Sequence, residues 1–447
     1  MLDIARQVLD AAMAAGVEQA EAFVQLDRSM RAKVYQQEVE EMVSATGSGA
    51  GIRVIDHGSA GYAYTSDLSP DGIKAAARAA AEGMSVTARD EFAGLPAPAA
   101  EFPQLDLYSP RLQEVRVTDK ISLAMTLEKA ALEHDRRVRQ VEAATYSESE
   151  STVAIANSLG FSRSYAETSC FAFLQAIAED EGQMQTGISF VTGREPGQLD
   201  AAAAAAEAAG RALSLLGAGQ CASMSCPVVM DPFVAASVIG VAGSVLTAEA
   251  VQKRRSLFAG RRGERVASSL VNLLDDAVHP DGLASAPFDG EGVPSRRTEL
   301  IKDGVLQGFL YDTYTGRKDG VASTGNGVRG SYRSQPHVGA TNLRLTGGAT
   351  PAAALLEGIE LGFYVIDVTG MHSGVNLISG DFSVGASGRL IRNGGLSEPV
   401  REVTIAGNLL DMLGNIKKIG NDNRWVPFGG SIHAPSVLIE PMTVSGR

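Results

Sequence analysis

Cysteine is nearly missing from this sequence: Cys170, Cys221 and Cys226 are the only three in 447 residues. So sparse and odd a set excludes a disulfide framework and fits a reducing compartment. Cys221 and Cys226 form a C-x4-C pair, but no further Cys or His pair completes a zinc site, so buried thiols are expected. Histidine is scarce too. No two of His57, His134, His279, His337, His372 and His433 lie within five positions of each other, which excludes a local metal-binding pair. Positive charge is also short: 39 Lys and Arg against 52 Asp and Glu leave a net charge of −13. That balance argues against a nucleic-acid or anionic-membrane partner. The longest uncharged apolar window, between Asp231 and Glu249, is interrupted by Pro232 and is too short to cross a membrane. The amino terminus has Asp3 where a signal peptide would be basic, so a cytoplasmic protein is expected.

The short catalytic motifs are missing as well. GDFSVGAS, residues 380–387, has glycines at phosphate-loop spacing but no Lys, and a strand-like run rather than a helix follows it. GMHSG, 370–374, has its Ser one place too late for a nucleophile elbow. Lys253, Arg254, Arg255, Arg261, Arg262 and Arg265 form a basic cluster without an aromatic ladder. It reads as a loop paired with acids or as a partner-binding rim.

What is present is a clear order of elements. Ile4, Val8, Leu9, Ala12 and Met13 share one face of an opening helix that stops at Gly16. Four short strand-like runs follow, AEAFVQL, RAKVYQQEVE, GIRVIDHG and SAGYAYTSD. A helix, SPDGIKAAARAAAEGM, then has Ser69 or Asp71 at its cap. After a proline-rich crossing the order repeats: helix VTDKISLAMTLEKAALEHD, several strand-like runs, then the helix DAAAAAAEAAGRALSLL. Residues 1–220 thus read as an N-terminal region of two similar units, about 1–95 and 111–220, an order that suggests an internal duplication. Beyond Pro227 the texture changes. SVIGVAGSVLTAEAV, 237–251, reads as a buried helix, and TPAAALLEGIELG as a second helical patch. Asp303-Gly304 and Asn393-Gly394 suit the left-handed positions of tight hairpins. The expectation is an α+β protein whose residues 221–447 are strand-rich and mainly antiparallel.

The segments FAGRRGERVASSLVNLLDD, GLASAPFDGEGVPSRRTELIKDGVLQGFLYDTYTGRK, STGNG, GDFSVGASGRLIRNGGLSEPVREVTIAGNLLDML and IGNDN resemble the TldD/PmbA family. They occur in that family's order, and with the units before them the likeness covers nearly the whole chain. The family has two branches that pair with each other. One carries an H-E-x-x-x-H helix and a cysteine near the carboxyl end. The PmbA or TldE branch, which this sequence resembles more, lacks that set. Counting back without gaps from FAGR, the motif positions fall on Ile239, Gly240 and Ser244, and no cysteine follows Cys226. The imidazoles, the general-base carboxylate and the thiolate are therefore all missing.

The resemblance implies a non-catalytic subunit that shapes a substrate channel in a heterodimer with a TldD-type homologue acting on unfolded peptides. Zinc is expected only in that partner, with no cofactor in this chain. No catalytic or metal-binding residue is expected here, and no direct nucleic-acid or membrane contact. An extended peptide is expected to bind through main-chain hydrogen bonds to a sheet edge. Two alternatives stand beside this reading. One is an independent metallopeptidase with scattered ligands, for which His372 and Asp381 are the candidate groove residues. The other is a homodimeric peptide-binding module.

Overall fold

The computed structural model describes residues 1–427 and 430–447. Helix α1 (Leu2–Met13) buries Ala5, Val8 and Ala12, and the chain turns at Gly16 with φ of 81°. Three strands follow, β1 (Gln19–Tyr35), β2 (Glu38–Asp56) and β3 (Ser59–Thr65), then α2 (Pro70–Gly83), whose cap is Ser69 accepting from Gly72 N–H. A short helix α3 (Arg111–Glu114) precedes α4 (Val117–His134), β4 (Val138–Asn157), β5 (Ser162–Asp180), β6 (Gln183–Gly193) and α5 (Ala201–Ser214). The helix–three strands–helix order occurs twice, and the six strands form one sheet in the order β3-β2-β1-β4-β5-β6.

Strand alternation then assigns the two faces. Ala20, Ala22 and Val24 pack under α1 and α2, while Ala144, Tyr146, Ala172 and Leu174 pack under α4 and α5. The opposite face carries Phe23, Val153, Ile155 and Tyr165. There it meets Phe161, Phe288 and Tyr332 in an aromatic cluster that ties the sheet to the second half of the chain.

The strands are longer and fewer than the sequence pattern predicts. RAKVYQQEVE is not one strand but the end of β1, a turn and the start of β2. Gln36 and Gln37 take φ of 53° and 61° in that turn. Glu128 of α4, 1 % exposed, accepts both of their N–H groups at 2.6 Å. A distant carboxylate thus stabilises a conformation that glutamine does not favour by itself.

The second half begins with β7 (Met224–Met230), α6 (Pro232–Val245) and α7 (Ala248–Gln252). Next come β8 (Leu273–Asp276), β9 (Arg297–Lys302), β10 (Val305–Leu306) and α8 (Thr313–Asp319). Short β11 (Gly327–Val328), β12 (His337–Val338) and β13 (Asn342–Leu345) lead to β14 (Leu361–Thr369), β15 (Asp381–Arg392) and β16 (Gly395–Asn408). The chain ends with α9 (Leu409–Gly414), β17 (Ile416–Ile419), β18 (Arg424–Val426), β19 (Ser431–Ala434) and β20 (Val437–Ser445). One sheet runs β16-β15-β14-β7-β20-β17, and a further β16–β20 pairing closes it into a barrel. The other runs β10-β9-β8-β13-β19-β18. Helix α6 lies between them, against β7 and β14 on one side and β13 and β19 on the other.

Both expected hairpin dipeptides are left-handed: Asp303 and Gly304 have φ of 48° and 77°, Asn393 and Gly394 of 48° and 79°. The helical patch in TPAAALLEGIELG is a correction. Only a 3₁₀ turn, Ala352–Leu355, forms there, because Pro351 starts it and Gly358 (φ 83°) turns the chain into β14. No helix among the described residues is long and apolar enough to cross a membrane.

Candidate functional site: the α6 groove

Helix α6 begins earlier than its apolar centre suggests. Asp231 caps it, accepting from Val234 N–H at 2.9 Å, and is in turn held by Arg211 of α5 at 2.5 Å. Burial raises the Asp231 carboxyl above its usual range, against the opposing pull of Arg211. The helix ends near Leu246, and Thr247 caps α7 separately. Its first turns are apolar all round, as a helix between two sheets requires.

The three degenerate positions part company along this helix. Ile239 is 3 % exposed and belongs to the main core. Gly240, Gly243 and Ser244 lie together on an adjoining face at 3.6 residues per turn, and Thr247 follows just past the helix end. They line a cavity of about 320 Å³ together with Glu249, Val338–Thr341 and Ser431. The hydroxyls there are committed: Ser244 donates to Val241 C=O at 2.7 Å and Thr247 to Ser244 C=O at 3.2 Å. Glu249 pairs with Lys253 at 2.6 Å. Hydroxyls, backbone and one paired carboxylate do not fit a catalytic zinc, which takes imidazole, thiolate or several carboxylate ligands.

His372 and Asp381 lie elsewhere. His372 is exposed and makes no hydrogen bond among the described residues. Asp381 is exposed at the start of β15 and accepts from Asn408 Nδ2 at 2.9 Å. The hydrogen bonds from Asn408 and Ser379 lower its carboxyl below the usual range. It faces a shallow depression of about 780 Å³ with Arg255 and Asn376; His372 is not on that wall.

Three features of this half escaped sequence reasoning. A second cavity, about 410 Å³, lies between the six-stranded sheet and the loops around 283–290 and 327–331. It shares the wall residues Ala340 and Thr341 with the α6 cavity, so the two cavities are neighbours. Beside it sits a buried charge network. Glu21 pairs with Arg329 and, at 3.0 Å, with Arg53, which reaches Glu291 at 3.2 Å. Burial would lower the Arg53 pKa, but Glu21 and Glu291 outweigh it and raise it overall. No local motif announces these pairs.

Third, β18 and β19 bring His433 against Trp425 (4.7 Å between centroids) and His279 (6.3 Å). Burial, then Arg344 and His279, pull His433 down to about 4. Its folded pKa lies below the unfolded value near 6.5, so the unfolded chain takes the proton first and stability falls as pH drops from about 6.5 to 4. His433→Leu is expected to flatten this acid limb in urea unfolding followed across that range. An unchanged slope would remove His433 from the account. No third ligand joins the two rings: among the described residues only Glu18, Asp56 and His57 form a three-donor group, at the surface.

Helix α6 thus lies buried between a barrel and a second sheet, with a cavity on its small-residue face whose lining offers no imidazole or thiolate. Comparison gives the chain a family. Residues 20–83, 110–216 and 223–446 match the profiles described as PmbA/TldA metallopeptidase domain 1, central domain and C-terminal domain. Metalloprotease PmbA of Escherichia coli O157:H7 is 31 % identical over 92 % of this chain and 88 % of its own. The Metalloprotease TldD homolog of Haemophilus influenzae is 27 % identical over 89 % and 86 %. A Thermotoga maritima structure described as a candidate modulator of a DNA gyrase superposes with a TM-score of 0.90, 29 % identity and 99 % coverage of both chains. TldE of Thermococcus kodakarensis, 22 % identical with a TM-score of 0.92 over 99 % of this chain and 100 % of that one, shares the fold. The chain belongs to the PmbA/TldD metallopeptidase family.

Proposed function

We propose that this chain is the non-catalytic, metal-free subunit of a cytoplasmic peptidase assembled with a metal-bearing homologue, and that its groove guides unfolded peptides. The observation that carries the reading is the α6 face. The scaffold and a cavity are kept, yet Gly240, Ser244 and their neighbours offer neither imidazole nor thiolate. Ile239 is buried in the core and offers no ligand atom. A helix that retains its packing but not its donors supports a shaping role.

The purified chain is therefore expected to hold far less than one transition-metal ion and to leave an unfolded peptide intact. Co-expression with a homologue bearing H-E-x-x-x-H should yield a complex that cleaves the peptide in a chelator-sensitive way. Elemental analysis and a peptide-degradation assay on both preparations test this. Zinc near one per chain with cleavage by the lone subunit would overturn it.

A further inference from the structure

We propose that the cavity between the two layers binds a basic group of an extended peptide, seated on Glu167 of the six-stranded sheet, with Asp27 further along the same cross-strand row outside the cavity lining. This rests on the peptide reading above and adds a subsite and a side-chain preference to it.

Strand register carries the idea. Asp27 of β1 lies opposite Ser151 of β4, which lies opposite Glu167 of β5. The two acids thus flank one small serine in a single row, with backbones about 10 Å apart at a strand spacing of roughly 4.8 Å. The row on one side is Gln25–Val153–Tyr165, and on the other Ser29–Ser149–Ser169. All three rows lie on the face opposite the helices. The cavity, about 410 Å³, includes Ser151, Tyr165, Glu167 and Phe288 in its wall.

The charges around this row are unevenly spent. Glu167 and Tyr165, both half-buried, make no side-chain hydrogen bond among the described residues. Asp27 accepts only from Gln25 Nε2, at 3.2 Å. Arg194, the cation acting on Glu167, gives its donors to the carbonyls of Leu107, Thr168, Pro280 and Gly282. Arg329 is taken by Glu21 and by Gly290 C=O. Asp289 accepts the N–H groups of Glu291, Val293 and Gly327. Burial raises the Glu167 carboxyl to about 7, with Arg194 opposing and Asp27 adding to the rise. An incoming ammonium or guanidinium supplies the missing partner, and the Tyr165 and Phe288 rings, packed edge-to-face, line the same cavity.

The test is fluorescence polarisation with an unstructured, dye-labelled peptide bearing one central lysine. Its norleucine analogue is compared, each with a free and an acetylated amino terminus. The lysine or free-amine forms are expected to bind about tenfold tighter than the fully neutral peptide, the scale of one charge-assisted bond. Glu167→Gln should abolish the preference and Asp27→Asn reduce it. In the wild type the preference should grow from pH 6 to 8 as Glu167 loses its proton. Dependence on lysine assigns the site to a side chain, and dependence on the free terminus to the α-ammonium. Equal affinity for all four peptides overturns the subsite and leaves the peptide reading standing; binding of none removes both. Because Glu167 gives up no side-chain hydrogen bond and its burial cost outweighs the pull of Arg194, Glu167→Gln should hold or raise the melting temperature at pH 8. A fall there would mark a structural role and sink the proposal.

Discussion

Arg329→Met is expected to cost about 3–5 kcal/mol of unfolding free energy, the range for removing one partner of a buried ion pair. The Arg329 and Glu21 side chains are 1 % and 0 % exposed, so water cannot replace the lost guanidinium. The variant leaves Glu21 with Arg53 alone and frees Gly290 C=O, which had accepted from Arg329 Nε at 2.6 Å. It also strips the cation from above the Phe23 ring, 4.9 Å away. Glu21→Gln in the same background should recover part of the loss, since neutralising the orphaned acid removes its desolvation penalty. Denaturant unfolding of the wild type, both single variants and the double variant measures this directly. A loss below about 1 kcal/mol for Arg329→Met, within the range of surface pairs, would mean the network is hydrated after all.

Restoring the family motif should fail, and the structure gives the reason. Ile239→His, Gly240→Glu and Ser244→His place the two imidazoles five residues apart, about 140° around the helix axis. Ser244→His would stand at the cavity, whereas Ile239→His would stand in the buried core. A β-carbon at Gly240 would already lie 2.8 Å from Ile432 Cδ1. Losing the isoleucine contacts and burying an imidazole without a partner should destabilise the protein by on the order of 3 kcal/mol or more. The expected result is a lowered unfolding midpoint, weak zinc uptake by calorimetry and no cleavage by the lone chain. Tight zinc binding with peptide cleavage would show that α6 can rotate into a working geometry and would end the shaping-subunit reading.

What was legible in the sequence was what is decided locally. Asp303-Gly304 and Asn393-Gly394 make their hairpins because their own residue types tolerate the left-handed conformation. Ser69 caps α2 from three residues away. Gln36-Gln37 carries no such signal, since its turn depends on Glu128, which is remote in the chain. Alanine propensity misled at 352–355, where Leu355 packs against Val229, Ile391 and Leu438 and the flanking Pro351 and Gly358 allow only one turn. The missing metal ligands could be read position by position from the resemblance. The row Asp27–Ser151–Glu167 could not, because it exists only once three strands are in register.

The grip of Glu128 on the β1–β2 turn bears on whether either half of this layer can stand alone. Glu128 belongs to the second helix–strands–helix unit, and the turn it holds belongs to the first. Strand β1 also spends its other edge on β4, so the first unit completes neither its hairpin nor its sheet by itself. Held alone, the first unit would leave that turn and that strand edge without their partners. Because both units belong to one polypeptide, these contacts are intramolecular and independent of protein concentration. The smallest self-sufficient piece of this layer is accordingly the pair, and neither half is a module that could be cut out and lent to another protein.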